Sequence, residues 1–423
     1  MMNRPSLFFF FWCLPLTLSA QSLADCQAAA ERNYPLIRQY DLVSRMSDVT
    51  VENIGKDWLP RLTASAQATY QSDVTAWPDE MRSLLSGMGV DVKGLKKDQY
   101  RIGVDVTQPI YDGGAIRNRR QMAIRQAEVE QAQTVVNLYA VRKRVNDMYF
   151  SLLLLDEQRR LTADLRNVLL SSEQKLWSML SHGTAAESDY NSVKAERLGV
   201  EQQLSSLDSQ RELVRQLLSM FCGIDVNSPE KPTAEPVSQG GVRPELQLVD
   251  AKIRLADAEE RMLDANLRPQ INLFATAFYG YPGYNLFNDM MHRSWSLNGL
   301  VGLRLSWNIG ALYTRKGDKA KLKLQREWAE NSRDVFLFNN RLEQLRQSEE
   351  QNRFRNMMAS DDEIIALREK IRKAAESKLA HGIIDVNDLV KEINSENAAR
   401  VQRSAHEIEY LRQLYDLIFT TNS

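Results

Sequence analysis

The sequence predicts an α+β membrane protein in which membrane-length strands feed very long helices, with the whole plan present twice. Three observations carry this. Tyr100, Ile102, Val104 and Val106 alternate with Arg101, Gly103, Asp105 and Thr107, the period of a strand with one apolar and one polar face. After Asp112-Gly113-Gly114 no proline or glycine occurs until Gly183, so that strand enters an uninterrupted helix. Landmarks then recur in order. Gly103 and Gly302 are 199 residues apart, as are His182-Gly183 and His381-Gly382, while Pro35 and Pro60 are matched by Pro244 and Pro269 at an offset of 209. A constant offset of this kind marks an internal duplication.

The chain has 423 residues, 54 basic and 55 acidic, with a formal net charge of -1. That balance gives no electrostatic case for a nucleic-acid partner. Residues 1–20 read as a signal peptide: Arg4, an apolar run from Leu7 to Leu18, then Ser19-Ala20 as a small-residue cleavage site. The run is too short to span a bilayer comfortably. Cys13 would leave with it. Cys26 and Cys222 remain, and no spacing pattern indicates whether they are bonded. Leu23-Ala24-Asp25-Cys26 faintly resembles a lipidation site, but the Asp before the Cys and its distance from the apolar run argue against it.

The first repeat covers 21–222. Residues 22–54 are helix-like with a break at Asn33-Tyr34-Pro35, and Trp58-Leu59-Pro60 closes the segment. Leu62, Ala64, Ala66, Ala68 and Tyr70 alternate with polar residues, predicting a strand over about 61–71, the length that crosses a bilayer when tilted. Glycines and Trp77-Pro78 make 72–99 a long loop. The strand at 100–108 returns, with Pro109 expected to end its pairing and Asp112 as a candidate helix cap. The helix predicted over 115–180 is about 100 Å long. Leu138, Val141, Val145, Met148, Leu152 and Leu155 give it a heptad seam. His182-Gly183-Thr184 breaks it, and a returning helix covers 189–222.

Residues 223–243, with three prolines and Gly240-Gly241, read as a linker. The second repeat, 244–423, has a helix at 245–267, strands at about 270–280 and 297–307, a loop between them, a helix at 313–380 and a returning helix at 387–419. Pro60, Pro109, Gly113, Gly114, Pro269 and Gly310 mark the strand–helix junctions.

Four amphipathic strands cannot close a barrel. In lipid an open sheet edge leaves backbone groups unsatisfied at several kcal/mol each, so other chains must complete the sheet. Three chains would supply twelve strands, within the range of outer-membrane barrels, although strand counting alone does not fix three. The helices are too long for a cap and too polar to cross a membrane. They read as a second, coiled-coil barrel in the periplasm, with hairpin tips about 100 Å from the strands.

Asn33-Tyr34-Pro35, Trp58-Leu59-Pro60, Gln108-Pro109-Ile110-Tyr111-Asp112-Gly113-Gly114 and the tip motifs Gly183…Asp189 and Gly382…Asp388 together resemble the TolC-like outer-membrane efflux family over essentially the whole mature chain. The resemblance implies a homotrimer with a twelve-stranded barrel, a helical tunnel and an equatorial region that would include 223–243. It implies passive export through the outer membrane of a Gram-negative bacterium, docked to a periplasmic adaptor and an inner-membrane transporter, with no cofactor. It places adaptor contacts at His182, Gly183, Thr184, His381, Gly382 and Ile383. Asp189 and Asp388 match acidic positions near a closed entrance. Lys391 stands where the best-known member has a second acid, and Ile384 where the family's closing network has an arginine, so the family's detailed gate is not fully present.

Plainer readings stand beside these. His182 and His381 read as solvated turn residues rather than metal ligands. Asp189 and Asp388 read equally as helix N-caps. Asp361-Asp362-Glu363 reads as a solvated face. Trp58, Trp295 and Trp307 suit a membrane interface. No nucleophile motif or phosphate-cradling loop stands in context, so no catalytic or metal site is expected. The alternative to a channel is an exported coiled-coil scaffold or adhesin, which leaves the repeated strand pairs unexplained.

Overall fold

A computed structural model describes residues 21–233 and 241–422; the expected signal peptide and part of the linker lie outside these. The chain forms two units. One comprises residues 40–133 and 245–334, the other the remaining described segments, up to 39, 134–244 and from 335.

The strand-bearing unit holds one antiparallel sheet in the order β1 (Arg61–Tyr70), β2 (Asp98–Tyr111), β3 (Gln270–Tyr281), β4 (Ser296–Ser306). The alternation sorts cleanly across the register. Leu62, Val106 and Ala275 share one face with Ala64, Val104, Ala277, Val301 and Leu303. Ser65, Arg101, Asp105, Thr276, Asn298 and Arg304 share the other. The repeat landmarks Gly103 and Gly302 pair with Phe278 and Phe274 on the polar face. A Cβ on Gly103 would come within 2.8 Å of Phe278 Cβ, and one on Gly302 within 2.8 Å of Phe274 Cζ. Gly302 therefore makes room for the Phe274 ring, and Gly103 for the β3 backbone and Cβ at Phe278. At the β1-free end of β2 the pairing does not stop at Pro109. It continues as Pro109↔Asn272 and Tyr111↔Ile271 with a bulge between. The missing donor is tolerated there because β1 ends its pairing at Thr107, leaving Pro109 a single neighbouring strand.

The two loops contain short helices that the sequence did not show, α3 (Asp79–Gly87) and α7 (Leu286–His292). Leu95, Tyr281 and Met290 form a small core beneath them. Tyr281 Oη accepts from Lys96 N at 2.9 Å, Lys93 N donates to Met290 O, and the Arg293 guanidinium donates to Gly94 O at 3.0 Å. The same unit contains α2 (Leu36–Gly55) from Tyr40 on, α6 (Pro244–Asn266) after its first residue, and the starts of α4 (Ala115–Ser181) and α8 (Arg315–Ala380). Lys319, Arg326 and Arg333 of α8 meet Asp264, Asp257 and Asp250 of α6. Both sets step by seven, an antiparallel heptad ladder. Exposed pairs contribute about 0–1 kcal/mol each, so the ladder sets register more than stability.

The helical unit contains α1 (Leu23–Asn33), α5 (Glu187–Cys222), α9 (Val386–Thr421) and the later parts of α4 and α8. Val141, Val145 and Leu152 of the α4 seam are buried with Leu23, Ala30, Leu218 and Ile408. Asp361 does not lie on a solvated face: it is buried and bonded to His406 Nδ1 at 2.7 Å, while Asp362 is the exposed partner of Arg403. Among the described residues no helix is long and apolar enough to cross a membrane.

Candidate functional site

α4 and α8 run unbroken for 67 and 66 residues, about 100 Å each, and each ends in a tight turn back into α5 or α9. The two turns are built alike. Gly183 and Gly382 adopt φ of 69° and 71°, the left-handed conformation that glycine adopts without penalty. His182 Nδ1 bonds Ser178 O at 2.6 Å and His381 Nδ1 bonds Ser377 O at 2.7 Å. Thr184 N donates to Met179 O and Ile383 N to Lys378 O. Both histidines are thus satisfied by their own helix ends. The structure brings the turns together: Leu176, Val193, Ala375, Val386 and Leu389 share a core, with Met179, Ala185, Leu379 and Ile384 packed against it. His182, Gly183, Thr184, His381, Gly382 and Ile383 lie exposed beyond that core.

Asp189 and Asp388 are not N-caps. α5 begins after Ala186 and α9 after Asp385, whose carboxylate accepts from Asp388 N at 2.9 Å. Both acids therefore sit at the third helical position, where the helix dipole favours negative charge. Asp388 and Lys391 are exposed, Asp189 half-buried.

Behind the tips lies a feature that single-residue reading missed. Glu173 of α4 pairs with Arg197 of α5, which also holds Glu201 at 2.6 Å. Arg372 of α8 pairs with Glu396 of α9 at 2.5 Å, and Glu396 holds Arg400 at 2.8 Å. Each residue stands 199 positions from its counterpart, with every sign reversed. Hydrogen bonds that Arg197 donates to Glu173 and Glu201 raise its pKa. At Arg372 burial opposes the charge, but Glu396 and Glu376 outweigh it and the pKa is again raised.

The junction residues gather in the other unit. Asp112 caps α4 through Gly114 N at 2.8 Å and Ile116 N at 2.6 Å. Gly113, at φ 69°, passes so close to the end of α6 that a Cβ would meet Arg268 Cβ at 2.8 Å. Pro60 and Pro109 line a cleft with Asp112, Ala115 and Gln270, next to Pro269. Gly310 lies in the short turn Ile309–Leu312, capped by Asn308. On the polar sheet face Arg101 lies 4.1 Å over Phe278 and Arg304 4.7 Å over Phe274. Tyr100 stacks on Trp295 with ring centroids 6.1 Å apart, and Tyr279 tilts against it at 5.4 Å. Among the described residues no group of three His, Cys, Asp or Glu could hold a metal ion.

Residues 29–220 match the family model described as Outer membrane efflux protein. No curated protein sequence is significantly similar to the chain. Solved structures share its fold. The outer-membrane channel OprN is 14% identical, with 94% of this chain and 89% of that one covered and a TM-score of 0.68. The outer membrane protein VceC of Vibrio cholerae is 14% identical, with 95% and 96% covered and a TM-score of 0.67. The CmeC outer membrane channel of Campylobacter jejuni is 12% identical, with 100% and 93% covered and a TM-score of 0.65. The duplicated strand pairs, the long helices and the matched segment agree: residues 29–220 match the model of an outer membrane efflux protein domain, and the chain shares the fold of these outer-membrane channels.

Proposed function

We propose that three copies of this chain close a twelve-stranded barrel in the outer membrane of a Gram-negative bacterium. The duct would conduct solutes passively from a periplasmic adaptor and an inner-membrane transporter to the outside. The observation that carries this reading is the sheet. Its apolar face is continuous across all four strands, its polar face carries charge, and β1 and β4 are open edges. An apolar outer face suits lipid, and the open edges must then pair with further copies, because bilayer offers no other partner for their backbone groups. A coiled-coil scaffold has no use for such a face. The resemblance to a trimeric family and the shared fold with solved channels support three copies. The exposed turns around Gly183 and Gly382 are the surfaces offered to the adaptor.

The reading is tested by fractionation and crosslinking. A heat-modifiable oligomer is expected in outer-membrane fractions, and a photoreactive group at Thr184 or Ile383 should capture a periplasmic protein in cells. A water-soluble monomer with little sheet content would sink it.

Two electrical predictions follow from the charges. The polar sheet face carries Arg61, Arg101 and Arg304 against Asp105, so the strand section should favour anions. Arg101→Gln with Arg304→Gln should lower the anion-to-cation permeability ratio, read from the zero-current potential in a salt gradient, by roughly twofold. At the tips, Asp388→Ala should raise single-channel conductance or alter block by divalent cations. An unchanged conductance and block would remove Asp388 from the entrance.

A further inference from the structure

Two thiols meet in the core of the helical unit. Cys26 lies in α1 and Cys222 is the last residue of α5; they are 0% and 2% exposed. Their sulfurs lie within hydrogen-bonding reach of each other. They are packed in one apolar cluster with Leu23, Ala30, Leu218 and Val226.

The approach is enforced by the surrounding contacts. Two turns beyond Cys26, Asn33 Nδ2 donates to Met220 O at 3.2 Å and Phe221 O at 3.3 Å, bonding α1 to the open carbonyls of α5. Gly223, at φ 70°, ends α5 so tightly that a Cβ there would lie 2.5 Å from Asn33 Cγ. Tyr34 packs on Phe221 with ring centroids 5.3 Å apart. From the other side the Tyr149 hydroxyl bridges Gln21 O at 2.8 Å and Glu230 O at 2.6 Å. Both chain segments leading to the pair are thereby pinned.

We propose that Cys26 and Cys222 form a disulfide bond in the exported chain. The inference rests on the reading that the mature protein folds in the oxidising periplasm. Both thiols lose a proton and together give up two electrons. The oxidant is a protein disulfide of the thiol-oxidase class, whose S–S bond breaks and which leaves with both protons as a dithiol. The hydrogen bond from Cys222 lowers the pKa of Cys26 and raises that of Cys222. One cysteine, as its thiolate, attacks the oxidant's disulfide, and the other then displaces the oxidant from the mixed disulfide. Both sulfurs are shielded in the finished fold, so the exchange belongs to folding, before Tyr149 closes over them. The bond encloses residues 27–221, which contain the whole of the matched segment 29–220. Long loops are the ones whose closure restrains the unfolded chain most.

The experiment has two arms. Mature protein from outer-membrane fractions is trapped with a maleimide under denaturing conditions and mapped by mass spectrometry. A linked peptide carrying Cys26 and Cys222 is expected; two alkylated cysteines overturn the inference while leaving the channel reading intact. Denatured protein is separately refolded in reduced and oxidised glutathione, while both thiols are still accessible. Thiols that stay free in fully oxidised buffer overturn the inference wherever the protein resides. Cys26→Ala, Cys222→Ala and the double variant should lower the oligomer's thermal dissociation midpoint equally, and wild type refolded in reductant should show the same value. Additive losses that reductant does not reproduce would show packing alone.

Discussion

Gly280→Val should abolish assembly of the barrel. A Cβ at Gly280 would lie 2.9 Å from Arg101 Cα and closer still to Tyr100 O. Both are backbone atoms of the paired strand, so no side-chain rotation relieves the conflict. β2 and β3 carry the seam between the two repeats, and separating them at Arg101↔Gly280 also undoes Tyr100↔Tyr281 and the seat of Arg101 on Phe278. The cost is about 3 kcal/mol or more, the upper range for overpacking, and it falls on every copy of the proposed trimer. The heat-modifiable oligomer and its conductance should both vanish. Gly299→Ala is the control: its nearest neighbour, Thr276 O, is 4.0 Å away, and that variant should assemble normally.

Arg243→Ala should loosen the end of α9. Arg243 is 9% exposed, and its guanidinium lies 4.8 Å from the Tyr139 ring, 5.0 Å from Phe419 and 5.5 Å from Phe336. It donates to Phe419 O at 2.6 Å and Thr420 O at 3.3 Å, satisfying terminal carbonyls and complementing the helix dipole. Phe419 O keeps the Tyr139 hydroxyl at 2.6 Å, so the loss is partial. Weighing one charged hydrogen bond and a partly desolvated cation–aromatic cluster gives about 2–4 kcal/mol. Hydrogen exchange at Phe419–Thr421 should accelerate strongly. Arg243→Lys should recover only part of the protection, because an ammonium cannot lie flat against three rings.

The sheet was the most legible part of the fold. The strands declare their two faces by alternation, interrupted at Phe274, Phe278 and Leu300, and β1 begins and ends within a residue of where Pro60 and Gln71 place it. The long helices were legible for the complementary reason, an absence of breakers between Gly114 and Gly183. What escaped was set by distant contacts. α3 and α7 are too short to show a period, and Arg293 and Tyr281 hold the loops in place from elsewhere in the chain. Pro109 looked terminal because a proline is read without knowing how many strands flank it. Asp361 looked solvated because nothing local places His406 beside it, 45 residues on. At the tips, the glycines were found from their position before a returning helix. The identity of the α9 cap was not, since Asp385 and Asp388 are equivalent by residue type and only the geometry separates them.

The inverted ion pairs behind the tips bear on how a doubled chain avoids confusing its halves. Two near-copies of one hairpin, six in the proposed trimer, could trade arms during assembly. An α4 arm docked on a borrowed α9 would set Glu173 against Glu396, and an α5 arm on a borrowed α8 would set Arg197 against Arg372. Repulsion inside a part-buried seam penalises both mismatches, whether the stranger comes from the same chain or a neighbour. Only the parental duplexes set opposite charges against each other at this level, Glu173 against Arg197 and Arg372 against Glu396, so ancestry is checked at the moment of pairing.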